Sequence, residues 1–204
     1  MTPQAVIFDL GKVLVDFDYS IAARALAARS RASPEEVSKL IDQSPLLVTY
    51  ETGGLATKAF FERVCAATGF GGDIDEFGRL FGDIFRPIES MIQLHAELRA
   101  AGVPTYIFSN TNELAVAHIR RSFPFFSRFD EYIYSFQHGA MKPEEKIYRA
   151  VEHITRLTGQ AILYLDDRAD NVAAGRRRGW QVIHHLDPST TRQLVTAAGL
   201  LKQV

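Results

Sequence analysis

The chain has 204 residues, with 23 basic against 24 acidic side chains, a net charge of -1, 47% apolar and 23% charged residues. That length holds one large domain or a domain with an insertion, and should bury about 70% of its unfolded surface without covalent staples. The balanced charge excludes a global field for nucleic acid or an anionic membrane, and the single cysteine, Cys65, excludes an internal disulfide.

No basic leader precedes the first apolar run, and no stretch approaches the roughly 20 apolar residues of a membrane helix. With Cys65 pointing to a reducing compartment, the expectation is a soluble, cytoplasmic protein with no membrane, nucleic-acid or obligate protein partner.

Ala5-Val6-Ile7-Phe8 is four apolar residues in a row and predicts a short strand buried on both faces. It ends on Asp9, a poor strand residue and costly to bury unpaired, and Gly11 then lets the chain turn. Residues 21–27 are Ala-rich and helical. Ser33-Pro34-Glu35-Glu36 is a helix start, with Ser33 as N-cap, Pro34 in the first turn and Glu36 closing a capping box. Val37, Leu40 and Ile41 follow at helical spacing. Tyr50-Glu51-Thr52-Gly53-Gly54 reads as a turn. A helix carrying Phe60, Phe61 and Val64 stops near Gly69, and residues 74–84 predict another. Residues 16–86 therefore read as all-helical, with no strand.

The texture then alternates. Residues 88–101 are helical, with Met91, Leu94, His95 and Leu98 on one stripe and Gly102 as the stop. Strands are predicted at 103–108, 131–135, 161–165 and 181–183. Helices are predicted at 143–157, at 171–178 and from Asp187-Pro188 onward. Strands separated by helices imply a parallel sheet covered on both faces. The expected fold is α/β: a Rossmann-like core from residues 1–15 and 87–204, with residues 16–86 inserted as a helical cap.

In such sheets ligands bind beyond the carboxyl ends of the strands. Three strand ends here are polar: Asp9, Ser109-Asn110 and Asp166-Asp167. A fourth group, Lys142, stands at a helix start before Pro143. Converging carboxylates repel unless a cation sits among them, and an all-oxygen set suits Mg²⁺. A hydroxyl and an ammonium facing them would bind an anionic oxygen group. The combination fits phosphoryl transfer with Asp as covalent nucleophile. Other features read as structural: Arg176-Arg177-Arg178 as a solvated helix end, His184-His185 as adjacent residues facing opposite ways, Trp180 as core. Tyr50, Glu51 and Lys58 are placed either at the surface or where a leaving group is read.

At these residues the chain resembles the haloacid dehalogenase-like (HAD) hydrolase superfamily. Phe8-Asp9-Leu10-Gly11 looks like its first motif, Ser109-Asn110 its second, Lys142-Pro143 its third and Leu165-Asp166-Asp167 through Asn171 its fourth. The inserted helices are similar to a type-1 cap. Asp9 through Asp16 and Tyr50-Glu51-Thr52-Gly53 look closest to the branch of glucose-1-phosphate phosphatase and the N-terminal phosphatase domain of epoxide hydrolases. The resemblance implies a Mg²⁺-dependent phosphatase acting on a small phosphorylated metabolite, sugar phosphates included, through an aspartyl phosphate. It implies Asp9 as nucleophile and metal ligand, the Gly11 carbonyl as a second ligand, Asp167 on the metal directly and Asp166 directly or through water. Ser109 and Lys142 would hold the phosphoryl oxygens, with Asn110 or Asn171 in support. One departure stands out: where most phosphatases of the superfamily carry a second Asp as general acid and base, this chain has Gly11, followed by Lys12. Asp16 and Asp18 are the sequence-adjacent substitutes. Two other readings are a haloacid dehalogenase, in which Asp9 attacks carbon without a metal, and an inactive homologue serving as a binding module.

Overall fold

A computed structural model describes residues 1–202. Five strands, β1 (Ala5–Phe8), β4 (Thr105–Ser109), β5 (Glu131–Tyr134), β6 (Ile162–Asp166) and β7 (Gln181–His184), form one parallel sheet in the order β5-β4-β1-β6-β7. Between and after them lie α6 (Glu89–Ala100), α7 (Glu113–Ser122), the single turn α8 (Ser135–His138), α9 (Glu145–Thr155), α10 (Ala169–Arg177) and α11 (Pro188–Ala197). β1 alternates as its buried run requires. Val6 and Phe8 pack into a cluster with Met91, Leu94 and Leu98 of α6, while Ile7 faces Tyr148 and Val151 of α9 and Trp180.

Residues between β1 and α6 correct the all-helical expectation. β2 (Val15–Phe17) and β3 (Phe85–Pro87) pair antiparallel and bracket five helices: α1 (Tyr19–Ala27), α2 (Pro34–Ile41), α3 (Pro45–Glu51), α4 (Thr57–Thr68) and α5 (Ile74–Gly82). Three-residue strands carry too little periodicity to be read locally, and their pairing partner lies some 70 residues away. The capping box at Ser33 forms as written, with Glu36 N donating to Ser33 Oγ and Ser33 N to Glu36 Oε2. Tyr50 and Glu51 end a helix rather than open a turn, and α7 is a helix the apolar pattern did not announce.

The inserted helices bury an aromatic cluster in which Tyr50 stacks on Phe60 at 4.5 Å and Phe77 on Phe81 at 5.7 Å. The cluster is continuous with the Val6–Phe8 face of the sheet. Trp180 is core, as expected, and Arg178 pairs with Glu152. No helix among the described residues is long and apolar enough to cross a membrane.

Candidate active site

Strands β4, β1 and β6 lie side by side and parallel, so their carboxyl ends share one edge. The chain builds β4 and β5 on one flank of β1 and then β6 and β7 on the other, which puts the crevice of a doubly wound sheet beyond β1. Asp9 is the first residue past β1, and its amide donates to the Leu165 carbonyl at 2.9 Å, which holds it against β6.

Asp9 is 7% exposed. Its Oδ1 accepts from the Leu10 amide at 2.6 Å and from Lys142 Nζ at 2.8 Å. No donor of the described residues reaches Oδ2, so that oxygen is left to the cavity. The buried Lys142 ammonium also donates to Asp166 Oδ2 at 2.7 Å and to the Phe108 carbonyl at 2.9 Å. Its three N–H bonds thus have three partners. Asp166 is fully buried and further takes the Tyr164 hydroxyl, the Arg168 amide and the Asn171 side-chain amide. It anchors Lys142 from beneath, whereas Asp167 lines the cavity.

Burial pushes the Asp9 carboxyl well above the usual range; Lys142 opposes the shift, and Asp166 and Asp167 add to it. Asp167 is raised by burial and then by the charge of Asp166. For Asp166 burial acts in the same direction, but Lys142 and the donors around it outweigh it and hold the group low. Burial alone would lower Lys142, yet Asp166 and Asp9 keep it charged and raised.

The residues fit a hard divalent cation. Asp9, Asp166 and Asp167 each place an oxygen within 4.8 Å of the others. These three carboxyl groups share a single buried ammonium, Lys142, which touches Asp9 and Asp166 and leaves Asp167 without an ion pair among the described residues. Asn171 Oδ1 is buried with no partner, on a residue that lines the same cavity. The Gly11 backbone also lines it, and no His or Cys does. An all-oxygen donor set of this kind suits Mg²⁺.

Above these groups lies a cavity of about 550 Å³. Of the residues picked from sequence, Asp9, Gly11, Ser109, Asn110, Lys142 and Asp167 line it, and Asp166 lies under its floor. The Ser109 hydroxyl is buried and makes only a 3.3 Å bond to the Asn110 carbonyl, so it is available to a ligand. Both ends of the Asn110 amide are committed: Oδ1 accepts from the Lys142 amide at 2.7 Å and Nδ2 donates to the Lys142 carbonyl at 3.0 Å. That clasp joins the loop after β4 to the loop carrying the ammonium.

Neither sequence-adjacent acid reaches the cavity. Asp16 pairs with Lys12, and Asp18 caps α1 by accepting from the Ser20 amide at 2.8 Å. Lys12 is spent on that pair and on the Phe17 carbonyl at 2.9 Å. Gly11 is not a vacancy either. A Cβ there would lie 2.7 Å from Phe17 Cε1, so the Phe17 ring occupies the side-chain space.

Glu51 is the cavity group that sequence reasoning left undecided. It lines the cavity, while Tyr50 is buried beside it and Lys58 is exposed and paired with Glu62. Its signal was positional only, since contact with residues some 60 positions later cannot be read from the pattern. His184 Nε2 bonds the Asp167 carbonyl at 2.8 Å and His185 Nδ1 bonds Thr191 Oγ1 at 2.7 Å, which leaves the pair structural as expected.

The family described as haloacid dehalogenase-like hydrolase matches residues 3–179. A sesquiterpene phosphatase, astK, from Aspergillus oryzae is 25% identical over 199 residues, covering 95% of this chain and 97% of its own. Among solved structures, a HAD family enzyme of Bacteroides thetaiotaomicron in complex with magnesium and inorganic phosphate superposes with a TM-score of 0.79 at 17% identity, covering 93% of this chain and 98% of its own. A predicted HAD-like family hydrolase of Porphyromonas gingivalis gives 0.79 at 21% identity, covering 95% and 98%.

Proposed function

This chain belongs to the haloacid dehalogenase-like hydrolases, and from that membership we propose that it is a Mg²⁺-dependent phosphatase of a small phosphorylated metabolite, working through an aspartyl phosphate on Asp9. The observation that carries the reading is the state of Asp9: one oxygen held by the Leu10 amide and Lys142, the other facing a cavity shared with Ser109 and Asp167. A carboxylate oriented in this way is a ready nucleophile. The relative named as a phosphatase and the neighbour holding magnesium and phosphate support it.

Asp9 Oδ2 attacks phosphorus in line with the ester oxygen, whose bond breaks with its electron pair. The Ser109 hydroxyl donates to a phosphoryl oxygen. As Asp9 becomes an acyl phosphate it loses its charge, and Lys142 then has a proton to redirect from Oδ1 to the transferred group. Water hydrolyses the acyl phosphate and restores Asp9. Asp9, Asp167, the Gly11 carbonyl and Asn171 would hold Mg²⁺, which would supply positive charge against the phosphoryl oxygens. Asp166 keeps Lys142 charged and in place. The helices of residues 16–86 act as the cap that contacts the leaving group, which lets one sheet edge serve many alcohols. A dehalogenase, which needs no metal, would have no use for the carboxyl group of Asp167 facing the cavity beside Asp9.

The test is phosphate release from a panel of monoesters with and without Mg²⁺, by wild type and Asp9→Asn. Mg²⁺-dependent release by wild type, falling to background in a folded Asp9→Asn, is expected. No release from any ester would favour a binding module, and metal-free halide release from a 2-haloacid would favour the dehalogenase.

A further inference from the structure

The loss of a carboxylate at Gly11 leaves leaving-group protonation without an evident donor, and Phe17 fills the space where one would stand. The cavity has two carboxyl groups outside the Asp9–Asp167 floor, Asp42 and Glu51. Asp42 is exposed at the C-terminus of α2, and water competes there for any proton it offers. Glu51 is different in three ways.

First, its place is set by contacts with the sheet-side elements α7 and α8. Tyr50 Oη accepts from the Leu114 amide at 3.3 Å and shares a 2.7 Å bond with Thr57, which in turn bonds Glu113. Two residues on, Gly53 has φ +75°, and a Cβ there would lie 2.2 Å from the Phe136 carbonyl, so only glycine lets the chain lie this close to α8. Glu51 is therefore pinned between an α7 anchor and an α8 contact.

Second, its one side-chain partner among the described residues is Asn112, in the loop that follows Ser109. Asn112 caps α7, its Oδ1 accepting from the Ala115 amide at 3.0 Å, which turns its Nδ2 toward Glu51 Oε1 at 3.4 Å. The bond is long, and Oε2 has no protein partner among the described residues. Third, burial pushes the Glu51 carboxyl up to about 7, with Asn112 opposing. The other charged or titratable groups around the cavity are Asp9 and Lys12 from the loop after β1, Tyr19 from α1, whose hydroxyl is pushed up by burial and then by Glu51, Asp42 from α2, Lys142, and Asp167 with Arg168 from the loop after β6. None forms an ion pair with Glu51 among the described residues.

We infer that Glu51 is the general acid and base of this site, taking the part that Gly11 cannot play; the inference rests on the phosphatase reading above. As the P–O ester bond breaks, the Glu51 carboxyl proton passes to the departing oxygen and an alcohol leaves. The resulting carboxylate then takes a proton from the water that attacks the aspartyl phosphate, which frees Asp9 and inorganic phosphate and returns Glu51 to its acid form. A group that ionises near neutrality serves both halves of such a cycle.

The experiment compares wild type, Glu51→Gln and Glu51→Asp on a simple alkyl phosphate and on p-nitrophenyl phosphate, whose leaving group needs no proton, all at saturating Mg²⁺. Gln keeps the shape and the Asn112 contact. Glu51→Gln is expected to lower kcat/KM, which reports the steps up to the aspartyl phosphate, about 10²–10⁴-fold on the alkyl ester and by less than roughly threefold on the aryl ester. On the aryl ester kcat should fall after a burst of p-nitrophenol, because hydrolysis of the intermediate also loses its base. The alkaline fall in wild-type kcat/KM for the alkyl ester, centred near the Glu51 pKa, should disappear. Glu51→Asp should be intermediate, and it carries the test if the Gln variant fails to fold. Equal losses of kcat/KM on both esters, or a rise in KM with kcat unchanged, would overturn the role and make Glu51 a binding group, while leaving the phosphatase reading intact. A wild type inactive on both esters would overturn both.

Discussion

If the Phe17 ring owns the space over Gly11, adding a single methyl there should cost stability, and removing the ring should cancel the cost. A Cβ on Gly11 would sit 2.7 Å from Phe17 Cε1 and 3.4 Å from Cδ1. Carbon pairs are comfortable at about 3.5–4.0 Å, so the nearer contact is roughly 0.8 Å too short. The ring cannot simply swing away. Phe17 is paired with Phe85 in the two-stranded ribbon, packs edge-on against Tyr19 at 5.8 Å, and carries Lys12 Nζ at 4.7 Å from its centroid. Overpacking of this kind costs about 1–3 kcal/mol. For a chain of this size that lowers Tm by roughly 2–12 °C in Gly11→Ala. On a Phe17→Ala background the same change should cost less than about 0.5 kcal/mol, so the double-mutant cycle should show a coupling of about 1–3 kcal/mol. Urea unfolding followed by the fluorescence of Trp180, the one tryptophan and 3% exposed, reads all four proteins. Effects that add within about 0.3–0.5 kcal/mol would refute the steric argument. It follows that Gly11→Asp in the native background should lower activity, although from sequence alone it reads as the restoration of a missing acid.

Lys142→Met should destabilise the fold by about 3–5 kcal/mol in urea, because it strands the Asp9 and Asp166 carboxylates that the ammonium now joins at 2.8 and 2.7 Å; a loss below about 1 kcal/mol would mean the site is solvated when empty of substrate. His95 is buried against Phe129 at 3.9 Å and bonds Thr105 Oγ1 at 3.1 Å, and burial, with Arg99 nearby, pulls its pKa from 6.5 down to about 4. The unfolded chain takes up that proton first as pH falls, so stability should drop between pH 6.5 and 4 and level off below. Urea midpoints measured across that range should show a shallower slope in His95→Gln, and an unchanged slope would assign the acid sensitivity elsewhere.

Local pattern alone determined the α/β class and the residues at the strand ends. Ala5–Phe8 is too short and too uniformly apolar for anything but a strand covered on both faces, and Asp9 at its end is too costly to bury without a partner. The parallel register then brings Asp9, Ser109 and Asp166-Asp167 to one edge, since strands that run the same way share their carboxyl ends. Capping at Ser33 was equally legible, because its partners lie within one turn. Pairings across long separations belonged to the tertiary structure. The ribbon of β2 and β3 joins residues about 70 apart, and neither strand carries a periodic signal of its own. Residue types alone did not separate Asp166 from Asp167, and only the family resemblance favoured Asp167 at the metal: the two are neighbours in the chain, but Tyr164, Asn171 and Lys142 claim the first and leave the second to the cavity. The same holds at Gly11 and Glu51. A glycine in a motif reads as a lost side chain until a ring 2.7 Å away shows why none fits. A glutamate in an apparent turn reads equally as surface or as a leaving-group contact until the contacts of Tyr50 and Gly53 fix it at the cavity. Sequence pattern records what a residue needs from its neighbours in the chain, and only packing decides which distant groups meet those needs.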